Sequence, residues 1–376
     1  MTAQVLLTAQ SPVAAKATAA GDPRDRGAKA QPLLIVEDLK KHFPIHGGLL
    51  NRKIGAIEAV YDVSFSVLKG ETLGIVGESG CGKSTLARVL MGLIPPDSGS
   101  VIFDGELVGG IRGLSLRELR RNMQIVFQDS DSSLNPRLPI QESIAYGPQV
   151  HGIRRADARN LARNLLQRVG LDPGLFASRY PHELSGGQKQ RVNIARALAL
   201  DPRLVILDEA VSALDKSIAA QVLNLLRHLK QTLKLTYIFI SHDLNVVRYV
   251  SDRMLVMYLG QVVEIGPTDA IYRQPKHPYT KALLASRLST DPRHRFDTPP
   301  LAGDPPNPID PPSGCRFRTR CPFAEDVCAT KRPVLGQSAG QAAHLAACHM
   351  GDATSSHSRS AAAPLAIELA AGATVS

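Results

Sequence analysis

Thr72-Leu73-Gly74-Ile75-Val76-Gly77-Glu78-Ser79-Gly80-Cys81-Gly82-Lys83-Ser84-Thr85-Leu86-Ala87-Arg88-Val89-Leu90-Met91 decides the fold. An apolar run enters a glycine-rich loop, and the loop enters a stretch with helical spacing. Gly77 to Ser84 fits the phosphate-binding pattern Gly-x-x-x-x-Gly-Lys-Ser. The glycines let backbone N–H groups turn inward and form a concave anion site, to which the following helix adds its positive dipole end. Lys83 is expected to reach the β- and γ-phosphates of a nucleotide, and Ser84 to hold Mg²⁺ through its hydroxyl. Glu78, Ser79, Gly80, Cys81, Gly82 and Thr85 complete the cradle. The plain alternative is a βα turn that binds nothing. The lysine, the hydroxyl and the strand–helix context argue against it. The pattern specifies a nucleoside triphosphate and leaves its use open.

Moving outward, Leu204-Val205-Ile206-Leu207-Asp208-Glu209 reads as a buried parallel strand with two carboxylates at its C-terminal end, where open α/β sheets bind ligands. Asp208 is placed for Mg²⁺ and Glu209 for polarising a water. Gln124-Ile125-Val126-Phe127-Gln128 is another such strand, ending in an amide. Tyr237 to Ile240 leads to Ser241-His242-Asp243, and His242 just beyond a strand end is within reach of a γ-phosphate. Leu184-Ser185-Gly186-Gly187-Gln188 opens a helix, a second anion-binding design that alone would read as a helix cap. Asp215 is expected to cap a helix carrying Ile218, Val222, Leu225, Leu229 and Leu233 on one face. Phe43 offers a flat π face to adenine, and a core aromatic at a strand end explains it almost as well. Gly47 to Lys53 reads as a loop, and Ala59 to Leu68 as a strand with Val63, Phe65 and Val67 on one face. Met254 to Ile265 reads as a hairpin about Gly260-Gln261.

The chain has 376 residues, 44% of them hydrophobic, enough for a large core plus an appendage. A net charge of +10 permits contact with nucleic acid or an anionic membrane face; a solvated basic surface is the simpler reading, and no nucleic-acid partner is expected. No stretch is long and apolar enough to span a bilayer, and residues 1–31 carry no secretory pattern, so a cytosolic placement is expected. Residues 1–31 read as a disordered leader, 32–290 as an α/β core with a helical insert at about 129–200, 291–350 as a Pro-rich linker and four-cysteine extension, and 351–376 as a disordered tail.

Taken together, the motifs resemble the nucleotide-binding subunits of ATP-binding cassette (ABC) transporters over residues 33 to about 285. The order is Walker A loop, Gln128, Leu184-Ser185-Gly186-Gly187-Gln188, Walker B, Ser212-Ala213-Leu214-Asp215 and His242. The resemblance implies a P-loop NTPase fold and an ATP sandwich dimer. In it Lys83, Ser84 and Asp208 act on triphosphate and Mg²⁺ in cis, while Ser185 and Gly187 close over the partner's γ-phosphate. It casts Gln128 as the Q-loop residue, Glu209 as the catalytic base, His242 as the switch histidine and Phe43 as the adenine-stacking aromatic. Ala210 departs from the proline usual after the Walker B glutamate, which loosens that turn. About a hundred residues separate loop and signature, too few for the coiled coil of repair and chromosome-structure ATPases. One cassette, with no fused membrane domain, puts the transport channel in other chains.

The flanks narrow the resemblance. Lys40-Lys41-His42-Phe43-Pro44, His277-Pro278-Tyr279-Thr280-Lys281-Ala282-Leu283 and Gly314-Cys315-Arg316-Phe317-Arg318-Thr319-Arg320-Cys321-Pro322 are similar to dipeptide and oligopeptide importers, with nickel importers sharing the extension. This implies a peripheral subunit at the cytoplasmic face of the cell membrane. Its implied partners are a second, different ATPase subunit, two permeases whose coupling helix seats near the helical insert and Gln128, and an external solute-binding protein. Cys315, Cys321, Cys328 and Cys348 are four thiolates able to satisfy a tetrahedral zinc or an Fe–S cluster, with His344 or His349 as substitutes. The spacing lacks a C-x₂-C knuckle; the resemblance favours [4Fe–4S], and reduced thiols in a packed lobe remain the plain alternative. Cys81 belongs to the phosphate loop. Two rival classes, a small-molecule P-loop kinase and an ATP-dependent regulator, are disfavoured by Ser185 to Gln188 and by Glu209 respectively.

Overall fold

A computed structural model describes residues 31–47, 52–109, 113–286, 303–304, 306–337 and 344–360. Residues 1–30, 291–302 and 361–376 lie outside them, and with them most of the expected leader, part of the linker and much of the expected tail.

The main sheet runs Gly336–Gln337, Leu345–Ala346, Gln261–Pro267, Arg253–Tyr258, Thr72–Val76, Thr236–Ile240, Leu204–Asp208, Met123–Val126. Its five strands from Arg253–Tyr258 to Met123–Val126 are parallel. Strand alternation divides their side chains between two cores. Leu73, Ile75, Leu204, Ile206, Ile238, Ile240, Leu255 and Met257 face one, with the helix Lys83–Leu90 and a second sheet. Val205, Leu207, Tyr237, Phe239, Met254, Val256 and Tyr258 face the other, with the helices Ile140–Val150, Arg155–Arg168, Gly186–Leu198 and Lys216–Leu233. Burial on both faces is why these strands read as continuous apolar runs.

The second sheet is antiparallel, in the order Arg52–Val67, Leu34–Gly47, Ser98–Phe103, Glu106–Leu107. Val63, Phe65 and Val67 are buried together as their spacing predicts. The strands run further than expected: pairing continues through Ile45–Gly55 to Gly47–Arg52, so Gly47 and Arg52 belong to strands rather than a loop. Between them, 48–51 lie outside the described residues. The hairpin about Gly260 forms as read, Gln261–Pro267 pairing with Arg253–Tyr258.

The C-terminal extension is not hung beside the core. Its strand Leu345–Ala346 pairs with Glu264 and Ile265 and carries Gly336–Gln337 outside it, lengthening the main sheet by two strands. Residues 351–360, expected to be disordered, pack back on the extension: His357 is buried and its Nε2 lies 2.9 Å from the Phe323 carbonyl.

Candidate nucleotide site

The main-sheet strands that deliver Lys83, Gln128, Asp208, Glu209 and His242 all end at the same edge of that sheet. After Thr72–Val76 the loop folds over itself, and Lys83 Nζ donates to the carbonyls of Gly77 (2.8 Å) and Glu78 (2.9 Å). Two strands away Leu204–Asp208 ends beside it, and Ser84 Oγ donates to Asp208 Oδ1 at 3.1 Å. Burial raises the Asp208 carboxyl above its ordinary range; the Ser84 hydrogen bond pulls it down, and the Glu209 charge raises it again. A hydroxyl and a carboxylate oxygen converging there are hard donors of the kind Mg²⁺ takes.

Glu209 holds φ 48°, a left-handed conformation that costs a residue bearing Cβ about 1–2 kcal/mol. The turn is pinned on both sides: Glu209 N–H donates to the Ile240 carbonyl (2.9 Å), while Ser212 N–H and Oγ donate to the Glu209 carbonyl (3.1 and 2.9 Å). These bonds fix a turn that lacks the proline ring, and Ala210 is buried beneath it. The fixed turn aims the carboxylate at two neighbours from other strand ends. Gln128 Nε2 donates to Glu209 Oε2 (3.0 Å), and His242 Nδ1 lies 3.4 Å from the same oxygen.

A cleft of about 580 Å³ joins these groups. Ser79, Gly80, Gly82, Lys83, Ser84 and Thr85 floor it; Gln128, Glu209 and His242 close one end; Phe43, Ile57, Glu58 and Ala59 of the antiparallel sheet close the other, with Pro308 of the extension. Phe43 is 36% exposed, a half-open ring rather than a core one. Ser185, Gly186, Gly187 and Gln188 do not line this cleft. Ser185 and Gly186 stand exposed at the start of Gly186–Leu198, in a capping box where Gln188 N–H donates to Ser185 Oγ (3.4 Å) and Ser185 N–H to Gln188 Oε1 (3.0 Å). Asp215 occupies the N-cap position of Lys216–Leu233, but its side chain makes no capping hydrogen bond, contrary to expectation.

The four C-terminal cysteines converge. Cys315, Cys321, Cys328 and Cys348 line one small cavity with His277, His349 and His357. Burial pushes the Cys315 thiol up to about 12 and Cys348 to about 11. The enclosed space is about 10 Å³, near the least that holds one water. Among the described residues no three His, Cys, Asp or Glu side chains stand placed to hold a metal ion. Thiolates are metal donors by their chemistry, but as packed here the four are not placed to hold an ion or a cluster. His344 is ruled out as a substitute ligand, because its Nε2 is 2.6 Å from Glu264 Oε1 in a separate buried network. Cys81 lies apart, its Sγ 3.8 Å from Lys83 Nζ.

Sequence reasoning missed Arg320 and the role of Tyr279, whose hydroxyl accepts the Glu78 N–H at 2.9 Å. Both lie in stretches noticed for their pattern, but only the fold brings them to the loop.

Comparison with known proteins agrees with this geometry. The ABC transporter family model matches residues 60–212, and the model for the oligopeptide/dipeptide transporter C-terminal region matches 263–328. The chain is 51% identical to a probable peptide ABC transporter ATP-binding protein of Sinorhizobium fredii, over 89% of this chain and 95% of that one. It is 48% identical to the oligopeptide transport ATP-binding protein AppF of Bacillus subtilis, covering 86% and 98% of the two chains. Among solved structures, the ATP-binding cassette MJ0796 in a post-hydrolysis state with ADP and Pi matches with a TM-score of 0.54 at 28% identity, over 62% of this chain and 98% of that one.

Proposed function

The chain belongs to the ABC transporter ATPases that carry the oligopeptide/dipeptide C-terminal region, and from that premise we propose how its own residues run a peptide importer. It is the ATP-binding and ATP-hydrolysing subunit. The observation that carries the mechanism is the convergence of Ser84 on Asp208, and of Gln128 and His242 on Glu209, along one sheet edge.

Lys83 neutralises the β- and γ-phosphates, exchanging the two loop carbonyls it now holds for phosphate oxygens. Ser84 and Asp208 hold Mg²⁺, which when bound supplies charge neutralisation at those oxygens. Phe43 stacks on adenine. Glu209 takes the proton of the attacking water as the bond between the γ-phosphorus and the bridging oxygen breaks, leaving ADP and phosphate. Gln128 and His242 hold its carboxylate in line. One chain surrounds the triphosphate on one side only. The exposed Ser185 and Gly186, with the half-buried Gln188 and the buried Gly187 next to them, suit the opposite side of a partner's nucleotide, and we place Asp215 with them. ATP binding therefore favours a closed pair of ATPase subunits, and hydrolysis reopens it. We assign the pair as two different subunits.

No helix among the described residues is long and apolar enough to cross a membrane. Coupling runs instead through permease subunits on the cytoplasmic side of the membrane, with a solute-binding protein beyond them. Two clefts suit the contact: one of about 640 Å³ beside Gln128, and one of about 540 Å³ on the helical insert with the exposed Tyr146. The cargo is peptides, as the peptide transport proteins among its relatives support; nickel is the alternative for the same engine. We further propose that Cys315, Cys321, Cys328 and Cys348, which line one cavity, ligate a [4Fe–4S] cluster, with zinc as the alternative; either requires the thiols to open from the packed arrangement seen here. Iron, sulfide and zinc content of protein purified without oxygen decides between them, and neither metal above background overturns both.

The experiment for transport is ATPase activity of the complete complex in liposomes, with its binding protein, against di- and oligopeptides and against nickel. Stimulation by peptides that vanishes in Glu209→Gln is expected. Stimulation by nickel alone would replace the cargo, and unchanged turnover in Glu209→Gln would remove Glu209 as the base.

A further inference from the structure

Glu78, second residue of the phosphate loop, is gripped from three directions. Its carbonyl accepts from Lys83 Nζ, and its N–H donates to the Tyr279 hydroxyl. Its carboxylate takes both arms of Arg320, Nη1 to Oε2 at 2.8 Å and Nη2 to Oε1 at 3.1 Å. The Arg320 side chain is only 5% exposed and that of Glu78 22%. Arg320 immediately precedes Cys321 in the extension, 242 residues from Glu78. Between them lies a ring cluster: Tyr279 stands 4.6 Å from Tyr258 and 5.5 Å from Phe317, centroid to centroid. The segment carrying two of the four cavity thiols thus backs directly onto the phosphate loop.

We propose that Arg320 is a positioning residue for ATP binding, through which the cysteine-lined extension sets the affinity of the phosphate loop. This rests on the reading of the cleft as an ATP site. A loop that binds a polyanion is harmed by a carboxylate of its own unless that charge is cancelled. Arg320 cancels it, and its planar two-pronged contact also fixes the direction of the Glu78 backbone, whose carbonyl orients Lys83. Removing the arginine leaves a half-buried charge in the loop, repelling phosphate. Removing both charges relieves that repulsion. The coupling is reciprocal: bound ATP favours the arrangement of the extension that presents Arg320.

The test measures equilibrium binding of a fluorescent ATP analogue and steady-state ATPase activity on the full chain, for Arg320→Met, Arg320→Lys, Glu78→Gln and the paired substitutions. Arg320→Met should raise Kd and KM about tenfold, with kcat within about twofold of the parent. Adding Glu78→Gln should recover most of the lost affinity, and Arg320→Lys should fall between parent and Met because an ammonium cannot bind both oxygens in one plane. A Kd for Arg320→Met within about twofold of the parent would overturn the proposal, as would failure of Glu78→Gln to restore binding. That second result would make the arginine a prop for its own lobe. Should Arg320→Met not fold, the neutral Arg320→Gln, alone and with Glu78→Gln, decides in the same way. Lys83→Ala separates the two layers: undiminished ATP binding there removes the ATP reading itself. Lost binding there, with Arg320→Met unchanged, removes only the coupling.

Discussion

At the residue scale the phosphate loop separates two kinds of glycine. A Cβ on Gly82, where φ is 106°, would lie 2.0 Å from the Ala59 carbonyl oxygen. Two backbones meet there, and neither yields without moving the antiparallel sheet off the loop. Gly80 has φ 78°, yet nothing lies within 4 Å of where its Cβ would stand. Alanine at Gly80 carries backbone strain alone, about 1–2 kcal/mol. We therefore expect Gly80→Ala to bind ATP within about tenfold of the parent, and Gly82→Ala to lose binding by more than about a hundredfold. Nucleotide titration of the two side by side checks this, and equal losses would show that strain rather than contact governs the loop. Glu209 shows how far a single residue can be read. Two acids closing an apolar strand mark it in sequence, since strand and carboxylates are adjacent. Its left-handed backbone and the sharing of Oε2 by Gln128 and His242 depend on three strand ends meeting, which no local pattern encodes.

At the element scale the informative strand is Gln261–Pro267. It pairs with Arg253–Tyr258 on one side and with Leu345–Ala346 on the other. In its middle sits Glu264, fully buried. The carboxylate accepts from the Lys276 N–H (2.8 Å) and the His277 N–H (3.0 Å), with His344 Nε2 at 2.6 Å. One side chain thus ties a core strand, the entry to the helix Pro278–Ala285 and an extension strand. Glu264→Leu leaves the Lys276 and His277 N–H groups and His344 without their shared partner and should cost about 3–5 kcal/mol; Glu264→Gln keeps an oxygen acceptor and should cost about 1–3. Urea unfolding midpoints of the two variants check the order, and a leucine variant as stable as the glutamine one would dismiss the network. The central strands were legible because double burial makes them continuously apolar. The two extension strands were not: each is two residues long, and Gly336–Gln337 pairs only with Leu345–Ala346, which a partner some eighty positions away specifies in turn. The helix Arg155–Arg168 within the expected helical insert is legible for the opposite reason, since Leu161, Leu165, Leu166 and Val169 recur at local spacing. Asp215 shows the limit of such local rules, for it holds the cap position without making the bond that gives a cap its value.

At the scale of the molecule, a chain that sequence composition divides near residue 290 is joined again by long-range contacts. Arg316 donates to Glu58 and to the Leu259 carbonyl, Arg320 pairs with Glu78, His344 meets Glu264, and Phe317 packs edge-on to Tyr258 at 5.3 Å. Arg316 and Arg332 also flank the Tyr61 ring, at 4.7 and 4.5 Å from its centroid. Ending the chain at residue 290 would take the arginine partners of Glu58 and Glu78, remove one of the three partners of Glu264, and bare the face of Tyr258 and Tyr279. Removing one partner of a buried charged pair typically costs about 3–5 kcal/mol, and a partly exposed pair less, so the sum approaches the whole margin of about 5–15 kcal/mol on which a native domain rests. At about 2–4 °C per kcal/mol for a domain of this size, the truncated chain should melt more than about 10 °C below the full one, or fail to stay soluble. Substituting the four cavity cysteines by serine leaves every one of those contacts in place and serves as the comparison. If the serine variant melts close to the parent while the truncation collapses, the extension stabilises the core through its arginines, its ring and its strands. If the two fall together, whatever the thiols hold is what keeps the extension folded against the ATP site. A truncated chain as stable as the parent would mean that the long-range pairs contribute nothing net, and that the division near residue 290 is a true boundary between independent folds.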